Sequence, residues 1–192
     1  EDDNYFWGYD VNASTSTTKV FKIYDPTNWT VVHTISVPHS STPGFISGAY
    51  DTQNKWYVVR QQTTGLMFVF DGDPDSPTYR TLLTSFTPSN VVNIPDFAYN
   101  QADGLFYGVG SSTNNLFRLN IGTQTVTLVG SVSGLPVGGY GAAYSTSDGK
   151  LYISENTSGN IYVIDLTLSS PTASLFASGP NASNNDGAKV TS

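Results

Sequence analysis

The sequence predicts an all-β fold assembled from four copies of one antiparallel meander, on three observations. A run of small and aromatic residues ending in Tyr, a polar turn and a second aromatic-rich run recur as "ISGAYDTQNKWYVVR", "DFAYNQADGLFYGV" and "GAAYSTSDGKLYIS". Composition favours strands and turns: about one residue in four is Ser or Thr, 13% are aromatic and only 12% are charged. Helices prefer Ala, Leu, Glu, Lys and Arg, whereas aromatic and β-branched residues fit pleated surfaces. Finally, the N-terminus begins partway through a copy, and the piece it lacks stands at the other end of the chain.

Each copy reads as four strands. The first ends at Tyr50, Tyr99 or Tyr144, spaced 49 and 45 residues apart. After the turns "DTQN", "NQADG" and "STSDG" come the second strands "KWYVV", "LFYGV" and "LYIS". Asp103-Gly104 and Asp148-Gly149 signal tight hairpins, because glycine accepts the positive φ that type I′ turns require. The third strands, "LMFVF", "NLFRL" and "NIYVI", run to Asp71, Asn120 and Asp165, and a short turn leads to fourth strands such as "TVTLVG" and "TASLFA". At the N-terminus "NYFWGYD" aligns with the second strand and "KVFKIYDPTNWTVVHTI" with the outer hairpin, so the first strand is missing. The tail segment Asp186, Gly187, Ala188, Lys189 and Val190 aligns with it, Lys189 standing where the other copies have Tyr.

A period of 45 to 50 residues with four strands per period is the pattern of a β-propeller. A unit split between the termini suits a ring, in which the last strand pairs into the first blade. The expectation is one domain, 1–192, forming a four-bladed propeller. Its blades cover about 1–43 plus 186–190, 44–91, 92–136 and 137–180, and the tail of its own or a neighbouring chain completes the first blade. Small residues on the innermost strands (Gly48, Ala49, Ala98, Gly141 to Ala143) suit a crowded axis. A β-sandwich or barrel with similar hairpins is the alternative.

The phrases "DFAYNQADGLFYGV" and "GAAYSTSDGKLYI" and the tail "NNDGAKV" resemble a family of extracellular repeat domains of unknown function, found in surface and secreted proteins of bacteria, algae and fungi. The resemblance covers about residues 44 to 190. It implies an exported repeat module and brings no catalytic residues to carry over. Many relatives place a Cys near the Lys189-Val190-Thr191 end, and this chain has none, so any disulfide anchor there is lost.

A net charge of −7 and a pI near 4.4 disfavour nucleic acid and anionic membranes as partners. No apolar run approaches the ~20 residues of a bilayer span. A low-charge surface rich in Ser, Thr and Asn points to a secreted or cell-surface protein. No signal peptide is present, so an exported chain would begin, after processing, at Glu1.

Catalytic patterns are sparse. The two histidines, His33 and His39, read as surface residues with no nucleophile or orienting group placed beside them. No thiolate exists, since the chain has no cysteine. Asp71, Asp73 and Asp75 have the alternate spacing of a calcium loop, but Ser76 and Leu82 stand where such a loop needs Gly and Glu. Asp96 and Asp186 hold equivalent places three residues before the Tyr position and would face each other across a four-bladed axis. Two carboxylates so placed repel unless a proton or cation lies between them, which makes them candidates for a Ca²⁺ or Na⁺ site. Otherwise no cofactor is expected.

Four N-glycosylation sequons begin at Asn12, Asn28, Asn156 and Asn181, all in expected turns or loops. Trp7, Trp56, Tyr57, Phe106, Tyr107 and Tyr152 fall on strands that face neighbouring blades, so packing explains them. Trp29 lies in the turn "DPTNWT" without a counterpart in other copies, which makes it the candidate surface contact. The expected function is a non-enzymatic structural or adhesive extracellular module, with one variant in which the tail strand makes it a self-assembling filament or surface-layer subunit. Its partners would be further copies, other surface proteins or glycans; the alternative is a carbohydrate-binding propeller.

Overall fold

Apolar residues at every second place of a strand bury one face, and strands that are apolar throughout bury both. Here WYVVRQ and MFVFD come close to the second kind, apolar but for Arg60, Gln61 and Asp71, and they are buried between neighbouring sheets. A computed structural model of the chain describes residues 5–40, 44–61 and 63–182. Among these, fifteen strands form four antiparallel sheets and no helix occurs.

The first sheet has three strands, β1 (Phe6–Tyr9), β2 (Thr18–Tyr24) and β3 (Val31–Pro38), in that order. The second contains β4 (Phe45–Asp51), β5 (Trp56–Gln61), β6 (Met67–Asp71) and β7 (Leu82–Phe86). The third contains β8 (Ala98–Asn100), β9 (Leu105–Val109), β10 (Asn115–Asn120) and β11 (Thr125–Ser131). The fourth contains β12 (Tyr140–Ser145), β13 (Lys150–Glu155), β14 (Asn160–Asp165) and β15 (Ala173–Ser178). Each is a meander in chain order, as the repeats predict. The first sheet begins with a second-position strand, and the segment 186–190 expected to complete it lies outside the described residues.

Three apolar clusters join consecutive sheets. Phe21 and Ile23 of the first pack with Phe45, Phe68 and Phe70 of the second. Val58, Met67 and Val69 meet Phe97, Phe106 and Leu119 of the third. Val109 and Leu116 meet Tyr140, Leu151 and Ile164 of the fourth. Burying one such side chain is worth roughly 1.5–3 kcal/mol, so these wedges dominate the stability. Trp7 and Tyr57 pack across the first wedge with ring centroids 5.0 Å apart, as expected of blade-to-blade aromatics.

Polar ties lie on the same seams. Tyr57 donates to the Trp7 carbonyl at 3.1 Å and Gln53 Nε2 to the Gln101 carbonyl at 3.0 Å. Consecutive innermost strands are in contact, β4 with β8 and β8 with β12. A β-bulge interrupts every outer hairpin. It falls at Ile23/Tyr24 and Val69/Phe70 in the first two sheets, and at Leu116/Phe117 and Ile161/Tyr162 in the last two. Bulges bend a strand and sharpen its twist.

The inner hairpins differ from the expected two-residue type I′ turns, which need two successive residues with positive φ. Here one residue enters that region in each loop: Lys55 (φ 55°), Gly104 (φ 74°) and Gly149 (φ 78°). Gly104 N–H donates to the Asn100 carbonyl at 3.0 Å and Gly149 N–H to Thr146 at 3.1 Å, so these are longer loops closed by one left-handed residue. The flanking polar side chains hold them: Asp51 Oδ1 accepts the Gln53 and Asn54 amides, both at 2.9 Å.

Candidate functional site

Acidic and amide residues at strand ends form one recurring local structure, in which a side-chain oxygen accepts the N–H two or three residues on. Asp25 holds Thr27 at 2.7 Å, Asp71 holds Asp73 at 2.9 Å, Asn120 holds Thr123 at 2.9 Å and Asp165 holds Thr167 at 3.0 Å. This turn chemistry accounts for the Asp71–Asp73–Asp75 spacing that suggested a calcium loop. Lys55 Nζ sits 2.9 Å from Asp73 Oδ1, and Thr78 donates to Asp71 Oδ2 at 2.7 Å. The Lys55 ammonium pairs with Asp73 and holds its carboxyl below its ordinary range. Burial tends to raise Asp71, but hydrogen bonds from Ser76, Thr78 and Asp73 outweigh it and leave that carboxyl lowered too.

Near the innermost strands, Asp96 is 4% exposed and accepts the Ala143 N–H at 2.7 Å. Its carboxylate thus braces the entry of the third sheet against the first strand of the fourth. Asp186, its proposed partner in a cation site, lies outside the described residues. Among the described residues no three His, Cys, Asp or Glu side chains converge as metal ligands.

Arg60 went unnoticed in the sequence although the signal was there, a lone cation inside the apolar run "WYVVRQ". The residue is fully buried, with Nη1 donating to the Ile94 carbonyl at 2.9 Å and Nη2 to that of Val92. Burial lowers its pKa to about 10. The guanidinium pins the segment connecting the second sheet to the third.

Tyr99, Tyr107 and Tyr140 are pushed well above the ordinary phenol range, chiefly by burial. Two serve as donors: Tyr107 to Asp103 Oδ2 at 2.6 Å and Tyr140 to the Pro136 carbonyl at 2.5 Å. Such phenols stay protonated and are poor bases. His33 is exposed. His39, expected at the surface, is half-buried with its ring edge-on to Phe68, centroids 5.1 Å apart.

Asn12, Asn28 and Asn181 are exposed. In the sequon at Asn28, Thr30 donates both its N–H (3.0 Å) and its hydroxyl (2.7 Å) to Asn28 Oδ1. Asn156 is half-buried, its Oδ1 accepts the Gly141 N–H at 3.2 Å, and Ser158 of the same sequon donates to Glu155. Asn156 and Asn181 line one open cleft of about 400 Å³. Trp29 is 64% exposed, and its ring is stacked on Phe6 at 5.1 Å. Val31 on the same side of the first sheet and Phe176 on the fourth are also exposed.

The sheets superpose on solved structures of low sequence identity. The chain matches "Crystal structure of Nidogen/Laminin Complex" with a TM-score of 0.60 at 11% identity, over 90% of this chain and 61% of that one. It matches "Structure of U3-55K" with a TM-score of 0.54 at 12% identity, over 84% and 46%. The match to Kuenenia stuttgartiensis hydrazine synthase has a TM-score of 0.54 at 12% identity, over 82% and 43%. The chain therefore spans less than two thirds of each of these chains. At such identities the likeness concerns the fold, and the radiating sheets fit the blades of a propeller. No curated protein sequence matches the chain. One family model does, described as a repeat of unknown function (DUF6923), and it covers residues 1–192. The chain belongs to that repeat family.

Proposed function

We propose that this protein is a non-enzymatic structural or adhesive module of the secreted space or cell surface, a four-bladed propeller that associates with further copies of itself. One observation supports the reading: among the described residues the first sheet has three strands where the other three have four, and its inner edge strand is β1. An edge strand presents unpaired N–H and C=O groups and accepts an added strand readily. Residues 186–190 repeat the pattern of the strands that fill this place in the other sheets, and they complete the first sheet of the same or a neighbouring chain. Donation to a neighbour gives a head-to-tail contact that propagates into a filament or layer.

The low-charge composition and the exposed Asn12 and Asn28 sequons support an exported location. Deleting residues 184–192 tests the function. Loss of assemblies in negative-stain images and light scattering is the expected result, and unchanged assembly rejects it.

A second reading is favoured by the exposed Trp29–Phe6 stack. Such a platform suits a sugar ring, with Asn28 and Asp25 nearby as polar contacts. A glycan array with wild type and Trp29→Ala separates this carbohydrate-binding role from assembly.

A further inference from the structure

Two buried donors at the seam between the second and third sheets stand without acceptors. Ser47 on β4 and Arg60 on β5 are cross-strand partners, which sets their Cβ atoms about 5 Å apart on one face. That face looks to the third sheet, since Ala49 and Val58 on it belong to the apolar cluster shared with Phe97 and Phe106. Ser47 is 6% exposed and Arg60 is fully buried. Arg60 Nη1 and Nη2 donate to the Ile94 and Val92 carbonyls, but Arg60 Nε and Ser47 Oγ have no hydrogen-bond partner among the described residues. Among the same residues no carboxylate pairs with Arg60. Neutral carbonyls satisfy N–H groups and leave the charge itself uncompensated, which is costly in an interior without water. A guanidinium does not escape that cost by giving up its proton.

The next seam fills the corresponding place differently. Ser47 and Asp96 are equivalent, each standing three residues before the Tyr of its repeat. The Asp96 carboxylate reaches the fourth sheet and accepts the Ala143 N–H at 2.7 Å. The equivalent of Arg60 in the third sheet is Val109, since Tyr57 pairs with Tyr50 as Phe106 pairs with Tyr99. The second sheet therefore carries a cation at this position, and a hydroxyl where its neighbour carries a carboxylate.

We infer that this seam binds a small monovalent anion, chloride in ordinary salt, held by Arg60 Nε and Ser47 Oγ where the Asp96 carboxylate stands one seam later. The anion accepts both orphan donors and neutralises the buried guanidinium in one step. A water molecule would satisfy the donors and leave the charge. Thr63 and Thr64 are exposed in the turn over the guanidinium, and an added Cβ on Gly65 would stand 3.4 Å from Nη2. That thin cover gives a small ion a short path.

Thermal melts of the full chain at neutral pH, with chloride titrated against gluconate at constant ionic strength, test it. Wild type gains about tenfold in its folding constant as chloride passes through saturation, seen as a melting temperature higher by about 3–6 °C. Ser47→Asp supplies a carboxylate beside Arg60, so this variant melts at or above the wild-type temperature in low chloride and no longer responds to added chloride. Ser47→Ala removes one donor without adding bulk, and its response moves to higher chloride concentration. Four results each overturn the inference. They are a wild type indifferent to chloride, a Ser47→Asp chain that still responds, one less stable than wild type in low chloride, and a Ser47→Ala chain with the wild-type response.

Discussion

The Asp96 carboxylate accepts the Ala143 N–H at 2.7 Å, tying the entry of the third sheet to the innermost strand of the fourth. Asp96→Ala leaves a buried N–H without this partner, which costs on the order of 2–3 kcal/mol. For a chain of this length that lowers the melting temperature by about 5–10 °C. Asp96→Asn keeps an acceptor oxygen and loses less. Calorimetry on the two variants checks the order.

Gly108 lies where Asp96 and Ile94 press closest. A Cβ there would meet the Asp96 carbonyl oxygen at 2.5 Å and Ile94 Cγ2 at 2.5 Å. Gly108→Ala therefore shifts backbone at the seam and destabilises by about 2–3 kcal/mol, read from urea denaturation. A variant as stable as wild type would show that the strands separate freely.

Arg60 spans two carbonyls with one planar fork, which a lysine cannot do. Arg60→Lys keeps a buried charge while losing at least one of its bonds, for a cost of roughly 2–3 kcal/mol. Hydrogen exchange should increase most at the amides of residues 92–97, the connection that Arg60 pins.

Acid should lower the stability of the protein through its carboxylates, modestly for each because these pairs are exposed. Lys22 holds Asp10 below its ordinary value across 2.5 Å, Lys55 does the same for Asp73, and Lys150 with Thr167 lowers Asp165 to about 2. For Glu155 burial pushes upward, but hydrogen bonds from Ser158 and Thr157 prevail and lower it. Folded values below unfolded ones mean that the unfolded chain binds protons first on acidification. Stability is thus complete above the usual carboxylate range and declines as pH falls from about 4 towards 2. Melting curves across that window check it, and Lys150→Met should flatten part of the slope. An unchanged midpoint would contradict the assignment.

Expression through a eukaryotic secretory pathway should modify the sequons unequally. Asn28 is exposed in a turn with its Thr30 hydroxyl alongside, whereas Asn156 is half-buried and engaged with Gly141. Peptide mapping is expected to find higher occupancy at Asn28 than at Asn156, and the reverse order would refute this reading of accessibility.

The meanders were legible because each element carries local signals: period-two apolar residues, turn residues at the hairpins and a 45–49-residue repeat of Tyr50, Tyr99 and Tyr144. Hairpin geometry was less so, since Asp-Gly serves both a type I′ turn and a longer loop closed by one left-handed glycine, and loop length decides between them. The structural use of Asp96, Lys55 and Arg60 was hidden for another reason. Their partners are backbone groups or residues up to 47 positions away, and sequence spacing does not report which carbonyl or N–H a side chain reaches.

The placement of the outer bulges divides the molecule into two matched halves. Sheets one and two bend their outer hairpin at one register, and sheets three and four bend it two residues earlier along the third strand. A step of two preserves which side chains point inward while moving the bend by roughly 7 Å. Hairpins are therefore interchangeable as modules within each half, and a graft between halves would keep its apolar face but aim its rim at the wrong neighbour. The smallest transplantable unit of this architecture is a pair of sheets.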